Sequence, residues 1–410
     1  VTRNLKLFIG ATIIFYFIGG VNDARAMYVL AGASLAVILG CYVLSRLAVS
    51  GLDLQVSLSR RRGTAGTRIP VKLQLANLRG VTRPTPTVTL EIANATVAGV
   101  DRPYRYVLPN LDGRATQEID VTVDCPARGR YRINHLAVEG TDPIGMFRRP
   151  RRFPAHEDFV ALPKVFSAPG IAAWELLSPE GRRVARGRRR DAGDFGGIRE
   201  YAPGDDLRYV HWKATAHTGR LAIKEFEQRQ EAQIAVWLDL SAAGVVGKGV
   251  GASTEIAVSV AASLLQTFIM ADYTVQLIGE GLSPSLGLAS RGEAYLSRAL
   301  QALADVQAGG ASPFSAMVME QVRSAGRAHA IFVITTGAGG GVPDALAFCG
   351  VHGILPTVFV IDPAGANDVA EPVAARCRSI GLQTVVVTEM DGIATALRQA
   401  ASLTEGQLVV

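Results

Sequence analysis

The chain has 410 residues, 49% of them apolar, and a formal net charge of +6. Two or three domains fit that length, and so large an apolar share leaves surface for lipid as well as for a core. Cys41, Cys125, Cys349 and Cys377 lie far apart with no CxxC pair, which excludes a disulfide framework and a zinc-ligand pattern; they read as reduced, buried small residues. Residues 232–410 hold 8 Lys and Arg against 14 Asp and Glu, so the first 231 residues carry +12. A basic part beside a membrane is drawn to anionic headgroups and an acidic part is held off them.

Two apolar runs open the chain, Leu7–Val21 and Ala26–Ser45, separated by Asn22, Asp23, Ala24 and Arg25. The second run is uncharged and of the length that ~30 Å of hydrocarbon requires. Together they predict a transmembrane helical hairpin over residues 1–48. Arg3 and Lys6 precede it; Arg46 and the run Arg60, Arg61, Arg62 follow it and are expected to face lipid headgroups. The positive-inside rule then places both ends in the cytoplasm and the rest of the chain on that side of an inner membrane. A cleaved signal peptide ending at "ARA" and a buried soluble hairpin are the competing readings.

From 49 to 165 the period changes to that of strands. "LDLQVSLS", "IPVKLQLAN", "PTVTLEIAN", "TQEIDVTVD" and the segment Tyr131–Glu139 alternate apolar and polar residues between turn-forming clusters, as in a small β-sandwich. A "DPIG" turn follows at 142–145.

Residues 166–231 read as a linker and a charged motif. Six arginines lie in "GRRVARGRRRD", 181–191, without aromatics or a recognition fold, so lipid or an acidic protein surface suits them better than nucleic acid. In "GDFGGIREYAPGDDLRYVHWKATAHTGRLAIKEFEQ", Pro203 and Gly204 set a turn. Asp205 and Asp206 stand close in sequence to Arg199 and Arg208, near enough for charge-assisted pairs. An enzyme reading makes Asp205 and Asp206 metal ligands or acid and base, helped by His211, His217 and Asp239. The histidines fall five and eleven positions after the acid pair, a spacing that fits no ligand set. A salt-bridged turn packed under Trp212 is the structural alternative.

Beyond residue 232 buried strands such as "QIAVWLDL" alternate with helices, among them Ser253–Tyr273, expected to be capped by Ser253 or Thr254. That order predicts a mostly parallel sheet covered on both faces, its crevice at the strands' C-terminal ends. "GVVGKGVG" at 244–251 departs from a phosphate loop because Gly249 follows Lys248, and "GAGGG" at 337–341 reads as a flexible loop.

The motif segment resembles the signature of the domain of unknown function 58 family. Gly193, Phe195, Arg199, Tyr201, Gly204, Asp205, Asp206, Arg208 and Trp212 match it, as do "RGRY", "TDPIGMF", "ALPKVF" and the N-terminal hairpin; Asp194 and His217 depart from it. The resemblance implies a C-terminal von Willebrand factor A-like, Rossmann-like domain, giving a multi-domain α+β chain. In such a domain a D-x-S-x-S loop with a further threonine and aspartate holds magnesium. Here Asp239 and Ser241 remain, Ala243 replaces the second serine and Thr336 stands where the aspartate is expected, so the crevice reads as vestigial: no cofactor is expected and at best weak magnesium binding. Similar proteins are commonly encoded beside MoxR-type AAA+ ATPases. The expected role is therefore non-enzymatic: a membrane-anchored interaction module, partner of such an ATPase and of other membrane or envelope proteins. Arg199, Tyr201, Gly204, Asp205, Asp206, Arg208 and Trp212 would form its docking face. A metal-dependent hydrolase and a purely structural membrane scaffold are the alternatives.

Overall fold

The computed structural model describes residues 2–167, 195–202, 209–226, 233–324 and 330–406. The arginine window 181–191, with Gly193, Gly204, Asp205, Asp206 and Arg208, lies outside them. The chain divides into two compact units, Val1–Pro163 and Lys164–Val410.

In the first unit, α1 (Arg3–Asn22) and α2 (Arg25–Val49) form a hairpin, both long and apolar enough to cross a membrane. The Thr2 hydroxyl accepts the Leu5 N–H at the start of α1, and Asp23 ends it in the left-handed conformation at φ 50°. The helices meet through small and polar groups: Thr12 Oγ1 and Ser34 Oγ are 2.7 Å apart, and a Cβ on Gly19 would lie 3.2 Å from Met27 Cβ. Small residues allow such close approach between apolar helices.

Eight strands follow in two sheets. The strands β1 (Leu52–Leu58), β3 (Arg68–Asn77) and β6 (Thr116–Asp124) form an antiparallel sheet in the order β1-β3-β6. The second sheet comprises β2 (Arg62–Thr64), β4 (Thr87–Asn94), β5 (Arg102–Val107), β7 (Gly129–Thr141) and β8 (Arg148–Leu162), ordered β2-β8-β7-β4-β5. Alternation sends Ile69, Val71, Leu73 and Leu75 inward to meet Val88, Leu90, Ile133, Leu136 and Phe159 in one core.

The turn between β7 and β8 is "DPIG", and it joins the sandwich to the hairpin. Asp142 accepts N–H bonds from Phe147 at 2.6 Å, Met146 at 3.1 Å and Ile144 at 3.2 Å. Burial alone would raise its carboxyl, but these N–H groups and the Cys41 thiol favour the charged form and hold it below the usual carboxylate range. The turn's outer carbonyls then receive α1: Thr2 Oγ1 donates to Met146 O at 2.5 Å and Asn4 Nδ2 to Ile144 O at 2.8 Å. Leu5, Cys41 and Met146 are buried together at the contact.

Arg60, Arg61 and Arg62, expected to face lipid headgroups with Arg46, do not lie beside the end of α2. β1 leads away from the end of α2, and Arg62 pairs with Val160, whereas the "DPIG" end of β8 begins at Arg148. These arginines stand at the far end of the sandwich, about 40 Å of extended strand away at ~3.3 Å per residue. Twelve or more residues of strand separate what the sequence brings near.

In the second unit, β9 (Phe195–Glu200) and β10 (Ala222–Phe226) pair antiparallel around α3 (Trp212–Thr218). A parallel sheet then uses β11 (Gln233–Leu238), β12 (Thr274–Ile278), β13 (Ala330–Thr335), β14 (Thr357–Ile361) and β15 (Thr384–Val387), ordered β12-β11-β13-β14-β15. One face packs α4 (Ser253–Met270), α5 (Glu293–Asp305) and α9 (Ile393–Gly406) on Ile234, Val236 and Leu238. The other packs α6 (Phe314–Ser324), α7 (Val342–Val351) and α8 (Ala370–Ser379) on Ala235 and Trp237. Helix α4 also has the length and apolarity of a membrane span, but it is buried against this sheet. Val165 and Phe166 pack on the same core, and Phe166 N donates to Ser263 Oγ at 2.9 Å, so the segment just after the sandwich belongs to this unit.

The N-terminus of α4 differs from expectation. Ala252 is the capping residue and supplies no side-chain bond, while Ser253 lies one residue inside. Ser253 Oγ instead donates to Gly244 O at 2.9 Å and accepts from Val246 N at 2.8 Å, fastening the loop that leads into the helix.

Candidate functional site

The strand order places a crevice where β11 and β13 part, since their connections leave on opposite sides of the sheet. Asp239 follows β11 there, and both of its carboxylate oxygens are engaged. Oδ1 accepts from Ser241 Oγ at 2.6 Å and from Ser241 N at 3.1 Å; Oδ2 accepts from Thr335 Oγ1 at 2.7 Å. The Gly337 N–H donates to Thr335 Oγ1 at 2.9 Å, and Asn367 Nδ2 donates to Thr336 O at 2.8 Å and Ile361 O at 3.1 Å. Asp362 Oδ1 accepts the Asn367 N–H at 2.9 Å.

Asp239, Ser241 and Thr336, singled out from the sequence, are thus brought together. A Cβ built on Gly244 would lie 3.2 Å from Thr336 Oγ1 and 3.3 Å from both Asp239 Oδ2 and Ser241 Oγ, so three oxygens converge on the space that only glycine leaves open. Thr335 and Asn367 were not legible beforehand. Thr335 is the first of two adjacent threonines, and strand alternation marks one of them, not both, for the crevice. Asn367 arrives from the loop after β14.

Magnesium requires near-octahedral oxygen ligands at about 2.0–2.1 Å. One carboxylate and three hydroxyls line this site, the carboxylate is already hydrogen-bonded at both oxygens, and Ala243 has no side-chain oxygen to add. This donor set does not fit the ion. The "GAGGG" segment is a set of turns, with Gly337, Gly340 and Gly341 at φ 73°, 70° and 66°. A Cβ on Gly337 would also come within 2.8 Å of Val373 Cγ2.

Around the motif, β9, α3 and β10 form one local frame. Tyr201 N donates to Leu221 O, His211 N to Ala222 O, and Ala222 N to Thr215 Oγ1, at 2.9, 2.8 and 3.0 Å. His211 caps α3, its Nδ1 accepting the Ala214 N–H at 3.0 Å, which fixes that nitrogen as an acceptor and takes it from any ligand role. Arg199 lies on β9, paired in register with Ile223. Trp212 opens α3 and is 70% exposed, its indole turned to solvent from the first helical position; the salt-bridged turn expected to pack under it lies outside the described residues. Ile198, Tyr209 and Leu221 are also exposed.

All four cysteines are free and buried. Burial pushes the Cys125 thiol up to about 12 and those of Cys349 and Cys377 up to about 11, far from a reactive thiolate at neutral pH.

A doubly wound, all-parallel α/β domain with a crevice at its switch point, preceded by a β-sandwich and two apolar helices, is the class of protein that this fold defines. Residues 197–399 match the model of the family described as "Protein of unknown function DUF58", and the chain belongs to that family. No curated protein matches it. Among solved structures, the CARDB domain of a Pyrococcus furiosus protein, in complex with di-metal ions, is similar at 14% identity, covering 27% of this chain and 91% of that one with a TM-score of 0.20. The C-terminal domain of wzt is similar at 8% identity, covering 28% and 75% with a TM-score of 0.23. Likenesses at such TM-scores carry no argument about fold or function.

Proposed function

We propose that the chain is a membrane-anchored protein-interaction module facing the cytoplasm. Its second unit would act as a von Willebrand factor A-like domain that has lost its metal and docks a MoxR-type AAA+ ATPase, in the assembly or maturation of envelope or metalloenzyme complexes. α1 and α2 are the anchor, and Arg3, Lys6 and Arg46 at their shared end favour the cytoplasmic side. The observation that carries the docking reading is Trp212. A large aromatic side chain is held out to solvent on a capped helix, beside exposed Tyr209 and on a segment matching the family's signature. Exposed tryptophans on rigid frames are the residue type that dominates interface energies.

Copurification from native membranes tests it. Wild type is expected to bring the ATPase with it, and Trp212→Ala to lower the yield about thirtyfold, the equivalent of ~2 kcal/mol at a hot spot. Asp205→Ala is expected to act in the same direction. Unchanged copurification with Arg199, Asp205, Asp206, Arg208 and Trp212 each replaced by alanine would overturn the reading.

A further inference from the structure

Where α2 ends, five arginines gather without a carboxylate partner. Arg83 is only 4% exposed; its Nη2 donates to Ser50 O at 2.8 Å and its Nε has no partner among the described residues. Arg151 Nη1 donates to Val49 O at 3.2 Å, so two guanidinium groups hold the last carbonyls of α2, at the negative end of its dipole. Arg46 and Arg149 lie over the Tyr42 ring at 5.4 and 4.8 Å from its centroid. Arg79 lays its stem across Gly51, where a Cβ would stand 2.6 Å from Arg79 Cγ.

None of the five makes an ion pair among the described residues. Elsewhere in the same unit Arg61, Arg68, Arg105 and Arg132 reach Glu157, Asp124, Glu139 and Asp158. Asp142 sits on the neighbouring turn, but its oxygens are engaged by backbone N–H groups. The positive charge at this rim is therefore left for an outside anion.

The same rim carries bare aliphatic tips. Leu78 is 69% and Val81 64% exposed, on a loop fastened to the foot of α2 by the Leu78 N–H donating to Gly51 O at 2.7 Å. Ile144 is exposed on the turn that holds Asn4 of α1. Arginines without counter-ions and aliphatic tips, set together at the base of two apolar helices, match the layered chemistry of a bilayer surface: phosphates outside, acyl chains just beneath.

We propose that this rim is a binding surface for anionic phospholipid. The guanidinium groups of Arg46, Arg79 and Arg149 take headgroup phosphates, and Leu78 and Val81 enter the acyl boundary. The sandwich is thereby seated on the membrane by a second contact besides its helices. The inference rests on α1 and α2 lying in the bilayer.

Because the four native cysteines are buried, Val81→Cys in the full chain takes a single environment-sensitive fluorophore. Reconstituted into phosphatidylcholine vesicles with a lipid-borne quencher, the probe is expected to shift to the blue and be quenched. Adding phosphatidylglycerol is expected to raise the quenching, and Arg79→Gln with Arg149→Gln to remove most of that rise; a probe at Arg61→Cys, on the far end, stays unquenched. Alkaline extraction reports separately on the helices. Protein retained by the vesicles with an unquenched Val81→Cys probe, or with quenching indifferent to phosphatidylglycerol, overturns the lipid surface alone. Protein released by alkali overturns the membrane reading and this proposal with it.

Discussion

Replacing Asp142 by alanine is expected to destabilise the first unit by about 3 kcal/mol. The carboxylate accepts three backbone N–H groups of its own turn, of which Met146 N is buried and Phe147 N partly so. A hydrogen bond to a charged group contributes ~1.5–3 kcal/mol, and a buried donor left without an acceptor costs about 1–3 kcal/mol. Loss of the turn also releases the carbonyls of Ile144 and Met146 that hold Asn4 and Thr2, so the hairpin loosens from the sandwich. Asp142→Asn keeps one acceptor oxygen and is expected to recover part of the loss. Denaturant unfolding in detergent measures both; a change below ~1 kcal/mol for the alanine variant would mean that the turn does not fasten the two parts. The pH dependence has a definite sign. Since the folded carboxyl is held below its unfolded value of about 3.9, its contribution is complete above pH ~4 and fades as the pH falls through the lowered folded value. Wild type should therefore lose stability below that pH faster than Asp142→Asn.

Asp239→Ala is expected to cost the second unit about 2–3 kcal/mol, from structure alone. It strands the Ser241 hydroxyl and N–H and the Thr335 hydroxyl, and both residues are buried. Asp239→Asn can still accept from one hydroxyl and should fall between. If the carboxylate serves as a hydrogen-bond hub rather than as a ligand, chelator leaves the melting temperature of wild type unchanged and magnesium does not raise it. A magnesium-dependent rise of several degrees, abolished by Asp239→Asn, would restore the metal reading.

The sequence was most legible where one period ran unbroken. The two apolar runs became α1 and α2, each a few residues longer than the uncharged stretch, with Arg3, Arg25 and Arg46 inside the helices. The buried strands of the parallel sheet were equally plain, as Val236 and Val333 sit in runs without a polar residue. β8 was hidden. Its "RRPRRFPAHEDFVAL" carries arginines and two prolines, and only Phe153, Ala155, Phe159 and Ala161 on its inner face mark it as a strand. β5, in "RPYRYV", was obscured in the same way by exposed charged side chains. In the crevice, Asp239, Ser241 and Thr336 could be named from the motif, whereas Thr335 and Asn367 act through contacts that only the packed loops create. The gathering of arginines at the end of α2 was hidden for a related reason: distance along the chain singled out Arg60, Arg61 and Arg62. The β7–β8 turn and the Leu78 loop bring Arg149, Arg151, Arg79 and Arg83 to the end of α2 instead.

Co-flotation of a purified MoxR-type ATPase with the full chain in liposomes tests the central claim most directly. The account predicts that the ATPase rises with liposomes carrying wild type, and stays behind with those carrying Trp212→Ala at equal protein content. No flotation with wild type, or equal flotation with both, would contradict it.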